Sequence, residues 1–474
     1  MEPNENELKE KTKKISIREG VASSVMNGSG VNYISPYALA LGASNTQIGL
    51  LTSIPSLLGN LSQLFTAKAI EKYSRKKIIV VSAFLQGLMW LPMLAVGYFF
   101  FYKNASPAIS ATLLIAFYTL FTLFGAFLSP AWNSMMKDVI DKGEGIYFGK
   151  RNRINGAIAL GVMLICGFLL NYLTGINLFL GFAILFGIAL LSKFVSVFLL
   201  RRHYDPPLNL EKGYYFSFWQ FVKKIPQSNF GKFAVFVSLI TLATNIASPF
   251  FTVYMLKDLH FSYTVWTLIV ISGSLSSLLF MPLWGKFADK FGNLKVIRMT
   301  GALVFLVPIA WLLVPIFMAI SPTAAIIYLL VEEFLNNFIW AGFNLSAVNF
   351  IYDAVTRQRL ALCVAYYNIL NGIGVFIGAS LGGLVSSFNF NFFGFTPILF
   401  IFLVSGIARF LVYIFMMPMI KEVREVEKYE KGEIKIGLKK ELGKILLPIH
   451  NRFTLVPQGK PIGSTTIPHT STAT

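Results

Sequence analysis

The chain has 474 residues, of which 55% are hydrophobic and only 13% charged, with a formal net charge of +19. A soluble domain usually carries about twice that share of charge, and no hydrophilic stretch here is long enough to fold alone. A soluble enzyme, a disordered chain and a disulfide scaffold built on the two cysteines, Cys166 and Cys363, are excluded.

A helix crossing a bilayer needs about 20 apolar residues. Taken in chain order, segments of that kind cover approximately 19–41, 46–67, 77–101, 108–136, 153–174, 177–200, 233–256, 263–284, 294–318, 323–350, 360–385 and 392–418. The expected fold is therefore an all-α polytopic membrane protein with twelve transmembrane helices. Residues 1–18, charged with both signs, read as a cytoplasmic tail rather than a signal peptide. The first span is weakly hydropathic because it holds Ser23, Ser24, Asn27, Ser29, Asn32 and Tyr33. Such groups are costly in lipid, so this helix should face a cavity or other helices.

Basic residues give the orientation. The segment before span one and those after spans two, four, six, eight, ten and twelve carry 37 of the 41 Lys and Arg residues. By the positive-inside rule both termini are cytoplasmic, and the surplus charge marks orientation in a cell membrane rather than nucleic-acid binding. Residues 201–232 read as a cytoplasmic linker with a short amphipathic helix in Phe216–Lys224. The tail, 419–474, should open on a charged helix over Glu422–Glu430 and end in a Pro/Ser/Thr-rich segment.

The chain repeats at an offset of about 216–218 residues: Glu71-Lys72 matches Asp289-Lys290, Asn152-x-x-Asn155-Gly156 matches Asn368-x-x-Asn371-Gly372, and Lys193 matches Arg409. This implies two parallel six-helix repeats, 19–200 and 233–418, related by an axis along the membrane normal.

Chemistry concentrates in span ten. Glu333, Asn336, Asn337, Trp340 and Asn344 follow helical i, i+3, i+4 spacing, and Glu332 with Asn336 forms an alternative stripe. Adjacent carboxylates project about 100° apart, so one of Glu332 and Glu333 should face a groove. Loss of hydration disfavours a charged carboxyl, which suits proton coupling or a cationic substrate. Other midplane candidates are Asn27, Asn32 and Tyr33 in span one, Trp132 and Asn133 in span four, and Thr241, Thr244 and Asn245 in span seven. Amides and rings suit a neutral or hydroxylated ligand. Lys193 and Arg409 read as structural pairing or snorkelling. The first half shows no acid in mid-membrane. No phosphate loop, metal cluster or catalytic constellation appears, so neither a cofactor nor an enzymatic reaction is expected.

After span eight stands Gly285-Lys-Phe-Ala-Asp289-Lys290-Phe-Gly292-Asn-Leu-Lys295, with a degenerate copy after span two that includes Glu71 and Lys72. This resembles the G-x-x-x-D-[RK]-x-G loop of the major facilitator superfamily. The resemblance implies a secondary transporter whose spans one, four, seven and ten line a central cavity. It also implies a cytoplasmic latch in which Gly285, Asp289, Lys290, Gly292, Glu71 and Lys72 take part. Asp138 with Arg151 and Arg153, and Asp353 with Arg357 and Arg359, are expected to form matching cytoplasmic ion-pair clusters beside it. The Pro-rich fifth-span motif of drug–proton antiporters is missing. The expectation is a monomeric permease that moves a small organic solute by alternating access, with protons as the candidate coupling ion. The alternative is a non-transporting sensor or scaffold on the same fold, which would call for a large partner-binding domain.

Overall fold

The computed structural model describes residues 4–140, 144–207, 217–356, 359–390 and 394–424, and the side chains of residues 64, 67, 68, 71, 144–146 and 361 lie outside that description. The chain divides into a unit over Met1–Val426 and a second over Glu427–Thr474, which is not among the described residues.

Helix starts are written in the sequence. Ser44 with Gln47 and Ser217 with Gln220 form capping boxes. Ser321-Pro322 and Thr396-Pro397 each place a side-chain cap before a proline at the first helical position. All twelve expected segments are helical, and no strand occurs among the described residues. Ten segments, from Arg75–Lys103 to Pro397–Met419, are long and apolar enough to cross a membrane. The first two, Glu5–Ser29 continuing into Ile34–Ala40, and Asn45–Lys72, carry more polar residues and fall below that mark.

Four segments are broken. The first turns through a 3-10 step at Val31–Tyr33, and the third pauses at Met89. The seventh stops at Asn245 and resumes at Ser248–Val253, where Pro249 sits at the second position, before a π-helical turn over Tyr254–Asp258. The ninth stops at Gly301 and resumes at Leu306–Ala310. A break frees backbone carbonyls, tolerable in a membrane only where another group takes them up.

The two halves meet along the second and eleventh segments and along the fifth and eighth. The eleventh, Leu360–Val385, carries Gly374, Gly378 and Gly382 against the seventh, and small residues at four-residue spacing let helix backbones approach. On the side remote from the termini one apolar core is shared by both halves. It runs from Tyr37, Ile48 and Trp90 to Phe250, Trp266 and Phe402. On the terminal side the halves have separate cores, around Ile79 and Met135 in one and Phe233 and Phe350 in the other.

The described parts of the linker, 201–207 and 217–232, are held by contacts to both halves. Asp205 accepts from Arg75 Nε at 3.0 Å and from Lys76 N at 3.1 Å. The short helix is Phe218–Lys224, and Phe221 packs against Phe230 and Tyr366, so this face meets the second half instead of lipid. Phe216 lies outside the described residues. The expected helix from Glu422 is corrected for residues 422–424, which are not helical: the Glu422 carboxylate accepts from Leu294 N at 2.8 Å, at a helix N-terminus where negative charge is favoured. The rest of that expected helix lies outside the described residues.

His203, 1% exposed, has only the Leu199 carbonyl on Nδ1 and no partner on Nε2. Burial holds its imidazole below the usual histidine range. A base depressed in the fold stabilises above its unfolded value of about 6.5 and loses that contribution as pH falls. The thermal midpoint should therefore drop on acidification below about pH 6.5, and His203→Gln should flatten that part of the melting profile.

Candidate functional site

The site is built on the tenth segment, Pro322–Ala354. Glu332 and Glu333 leave it in different directions. Glu332, 7% exposed, accepts from Trp311 Nε1 of the ninth segment at 2.9 Å. Glu333 points along the other stripe, where its Oε2 accepts from Asn337 Nδ2 at 2.8 Å and from Asn336 Nδ2 at 3.4 Å. Gly273 of the eighth segment makes room for this pair: a Cβ there would stand 3.0 Å from Glu333 Oε2 and clash with the Asn337 amide.

Glu333, Asn336, Asn337, Trp340 and Asn344 line a cavity of about 470 Å³. Thr241, Thr244 and Asn245 of the seventh segment line it too, as do Phe251 and Arg409. Arg409, on the twelfth segment and 1% exposed, donates Nη1 to the Val304 carbonyl at 3.0 Å and Nη2 to the Thr244 carbonyl at 3.4 Å. Val304 lies in the break of the ninth segment and Thr244 just before that of the seventh. The breaks thus supply the acceptors that keep a guanidinium inside the membrane. Three polar atoms on this wall have no partner: Arg409 Nε, Asn336 Oδ1 and Thr244 Oγ1.

The sequence-predicted stripe of span ten and the pair Thr241 and Asn245 thus come together. Glu332 does not line the cavity; it faces Trp311 and interacts electrostatically with Arg409. The first-half candidates do not reach the cavity either. Tyr33 is fully buried where spans one, five and eight meet, donating to the Met163 carbonyl at 2.7 Å. Asn32 Nδ2 lies 3.4 Å from Met163 Sδ. Asn27 and Asn133 are exposed, and the Trp132 ring is covered by the Arg151 guanidinium at 4.5 Å.

Arg409 and Glu19 are the residues sequence reading undervalued. Arg409 differs from its repeat partner Lys193, whose charge is met within the first half. Glu19, 5% exposed, accepts from Ser196 Oγ at 2.9 Å, Ser23 Oγ at 3.1 Å and Arg151 Nη2 at 2.9 Å, and interacts electrostatically with Lys193. The first half therefore does hold a buried acid, at the edge of its first span. The signal available for Arg409 was its depth, about nine residues from the helix end.

The family model of the Major Facilitator Superfamily matches residues 20–331 and 233–457. The chain belongs to that superfamily. No curated protein matches it in sequence. Among solved structures, a mutant of the nucleoside transporter NupG aligns with a TM-score of 0.66 at 14% identity, over 86% of this chain and 100% of that one. A bacterial homologue of the iron transporter ferroportin, in an inward-facing state, aligns at 0.62 and 12% identity over 86% and 98%. A bacterial homologue of the human lysosomal transporter Spinster aligns at 0.52 and 14% identity over 88% and 96%. These likenesses show the fold.

The superfamily loop after the eighth segment keeps its expected turn. Gly292 has φ +91° and joins Tyr263–Phe291 to Asn293–Gly301, a backbone that side chains with a Cβ rarely adopt. Gly285 is half-buried against Leu345, and Asp289 and Lys290 are exposed. Lys72 is exposed, while the Glu71 side chain and all of Arg357 lie outside the described residues. The expected first-half ionic cluster is corrected. Asp138 pairs with Arg75, not with Arg151, which belongs to Glu19. In the matching place of the second half, Asp353 accepts from Asn293 Nδ2 at 2.7 Å. The repeat thus preserves a contact between the third and fourth segments in one half and the ninth and tenth in the other.

Proposed function

We propose that this chain is a monomeric secondary transporter of the cell membrane, with both termini cytoplasmic. In this reading it moves a small polar organic solute by alternating access. The observation that carries it is the membrane-buried cavity walled by Glu333, the three asparagines of the tenth segment, Trp340 and Arg409. Its volume falls in the range of about 300–1,000 Å³ common to small-molecule sites. Its polar atoms without partners are costly to bury and are what a solute would satisfy.

Alternating access is supported by the distribution of apolar packing. A shared core on one side and separate cores on the other is the arrangement of a molecule closed away from its termini and parted toward them. Glu333 is the proton-linked group, because a carboxyl there can exchange a proton as the site changes sides. The half-specific contacts Arg75–Asp138 and Asn293–Asp353 keep each half rigid while the two rock.

The test is flux into proteoliposomes of sugars, amino acids, nucleosides and organic cations, with and without an imposed pH gradient. Saturable flux of one class is expected, driven by the gradient. Glu333→Gln should lower gradient-driven flux at least about tenfold, a barrier change of roughly 1.4 kcal/mol, while the melting temperature holds. No saturable flux of any class from folded protein would overturn the reading.

A further inference from the structure

We infer that the solute is a small organic monocation, whose ammonium group sits against Glu333 in place of a proton. The inference rests on the transport reading and names its substrate class. It starts from the charges on the cavity wall. Arg409 is answered by Glu332, with which it interacts and which Trp311 holds at 2.9 Å. Glu333 is answered by neutral amides alone, Asn336 and Asn337. Among the described residues, those lining the cavity from the seventh, eighth and ninth segments carry hydroxyl, amide and apolar side chains. Glu332, Glu333 and Arg409 therefore sum to one uncompensated negative charge when both acids are ionised. A buried charge must be paired or neutralised, so the site calls for one positive charge: a proton or a cationic solute.

The remaining wall selects the organic cation. Asn336 Oδ1 has no partner and accepts hydrogen bonds only. Trp340 and Phe251 present rings to the same space, and aromatic faces attract ammonium groups most strongly where water is excluded. Arg409 lines the same cavity, and its Nε–H is also without a partner. An anion would meet the Glu333 carboxylate. A neutral solute would leave its charge unmet unless a proton stayed. The exchange balances: one proton leaves Glu333 as one ammonium arrives, and the net charge of the site is unchanged.

Binding to the purified full chain tests this. The probes are choline, ethanolamine and tetraethylammonium, with 3,3-dimethylbutan-1-ol as the uncharged carbon isostere of choline. Titration calorimetry is run near pH 6 and near pH 8. At least one ammonium probe should bind near pH 8, at least about tenfold tighter than the isostere. Its affinity should weaken toward pH 6, by up to about tenfold per pH unit where one proton competes. Glu333→Gln should abolish both the binding and its pH dependence. Trp340→Phe should keep binding that Trp340→Leu loses. Should Glu333→Gln fail to fold, the isostere comparison and the Trp340 pair decide alone. Isostere binding equal to choline, unchanged choline binding in Glu333→Gln, or no ammonium binding at either pH would overturn the inference. Flux of a neutral solute without ammonium binding overturns this inference and leaves transport standing; ammonium binding without flux does the reverse.

Discussion

Glu19→Gln should lower the thermal midpoint by about 3–5 °C, more than any other single polar substitution in the first half. The carboxylate is 5% exposed and joins three segments of the bundle. It accepts from Ser23 on its own helix, Arg151 on the fifth and Ser196 on the sixth, and it faces the buried Lys193. An amide of the same shape keeps part of the hydrogen bonding and none of the charge. Two cations then remain in a membrane-embedded cluster without a counter-charge. Removing one partner of a buried ionic group costs about 3–5 kcal/mol, and each kcal/mol moves the midpoint of a protein of this length by about 1 °C. Removing a cation as well relieves the imbalance, so Glu19→Gln with Lys193→Met should melt above Glu19→Gln alone. That non-additivity is what neighbouring charges require. A single substitution within about 0.5 kcal/mol of wild type, or a double variant that simply sums the two losses, would mean that Glu19 does not hold this cluster together.

The contrast between Glu19 and Glu333 also shows what a sequence discloses. Polar residues at i, i+3 and i+4 in an otherwise apolar helix stand out, so the Glu333–Asn336–Asn337–Trp340–Asn344 face was legible in advance. The split of the two adjacent acids was legible as a rule, since they must diverge, but not as an assignment. That depended on Trp311 reaching Glu332 from another helix. Arg409 escaped because the carbonyls it binds, Val304 and Thr244, lie where two helices break; Gly301 and Pro308 mark one of those breaks, Pro308 having no N–H for the Val304 carbonyl four residues before it, but neither says which side chain takes that carbonyl up. The first-half candidates failed for a related reason. Tyr33 looks like ligand chemistry in a sequence, yet its hydroxyl is used up on the Met163 carbonyl. Asp138 and Arg151 stand close along the chain and on matching loops of the repeat. The fold instead carries Asp138 to Arg75, 63 residues away, because the start of the third helix packs on the end of the fourth. The twelve-segment pattern needed no tertiary knowledge, since apolar length alone marks most of it.

Gly49→Leu should shift the molecule away from the described conformation and stop transport without unfolding it. Gly49 lies where the second helix crosses the eleventh, against the Ala379 carbonyl and the Gly383 backbone. Nearby, Asn45 Nδ2 donates to the Ser386 carbonyl at 2.9 Å, and the hydroxyls of Thr46 and Ser387 lie 2.8 Å apart. These contacts close the side remote from the termini and bind one half to the other. The added side chain would overlap backbone, which cannot rotate away as a flexible side chain would. Overpacking of this kind costs about 1–3 kcal/mol, felt only while the two helices stay in contact. In a second state with these ends apart the cost disappears. Two states of a transporter differ by a few kcal/mol at most, so the population shifts by about five- to a hundredfold. The native thiols, Cys166 and Cys363, are both buried, and replacing them with serine gives a background for single reporters. In that background, Ser387→Cys should react with a water-soluble thiol reagent at least about fivefold faster once Gly49→Leu is added. A reporter at Gln63, which accepts from Asn368 at 3.0 Å nearer the terminal side, should react more slowly. Both rates unchanged in folded protein would mean that this contact does not govern closure. Opposite changes at the two reporters are what one rigid rocking of the halves demands, because parting the helices at Gly49 brings them together beyond Gln63.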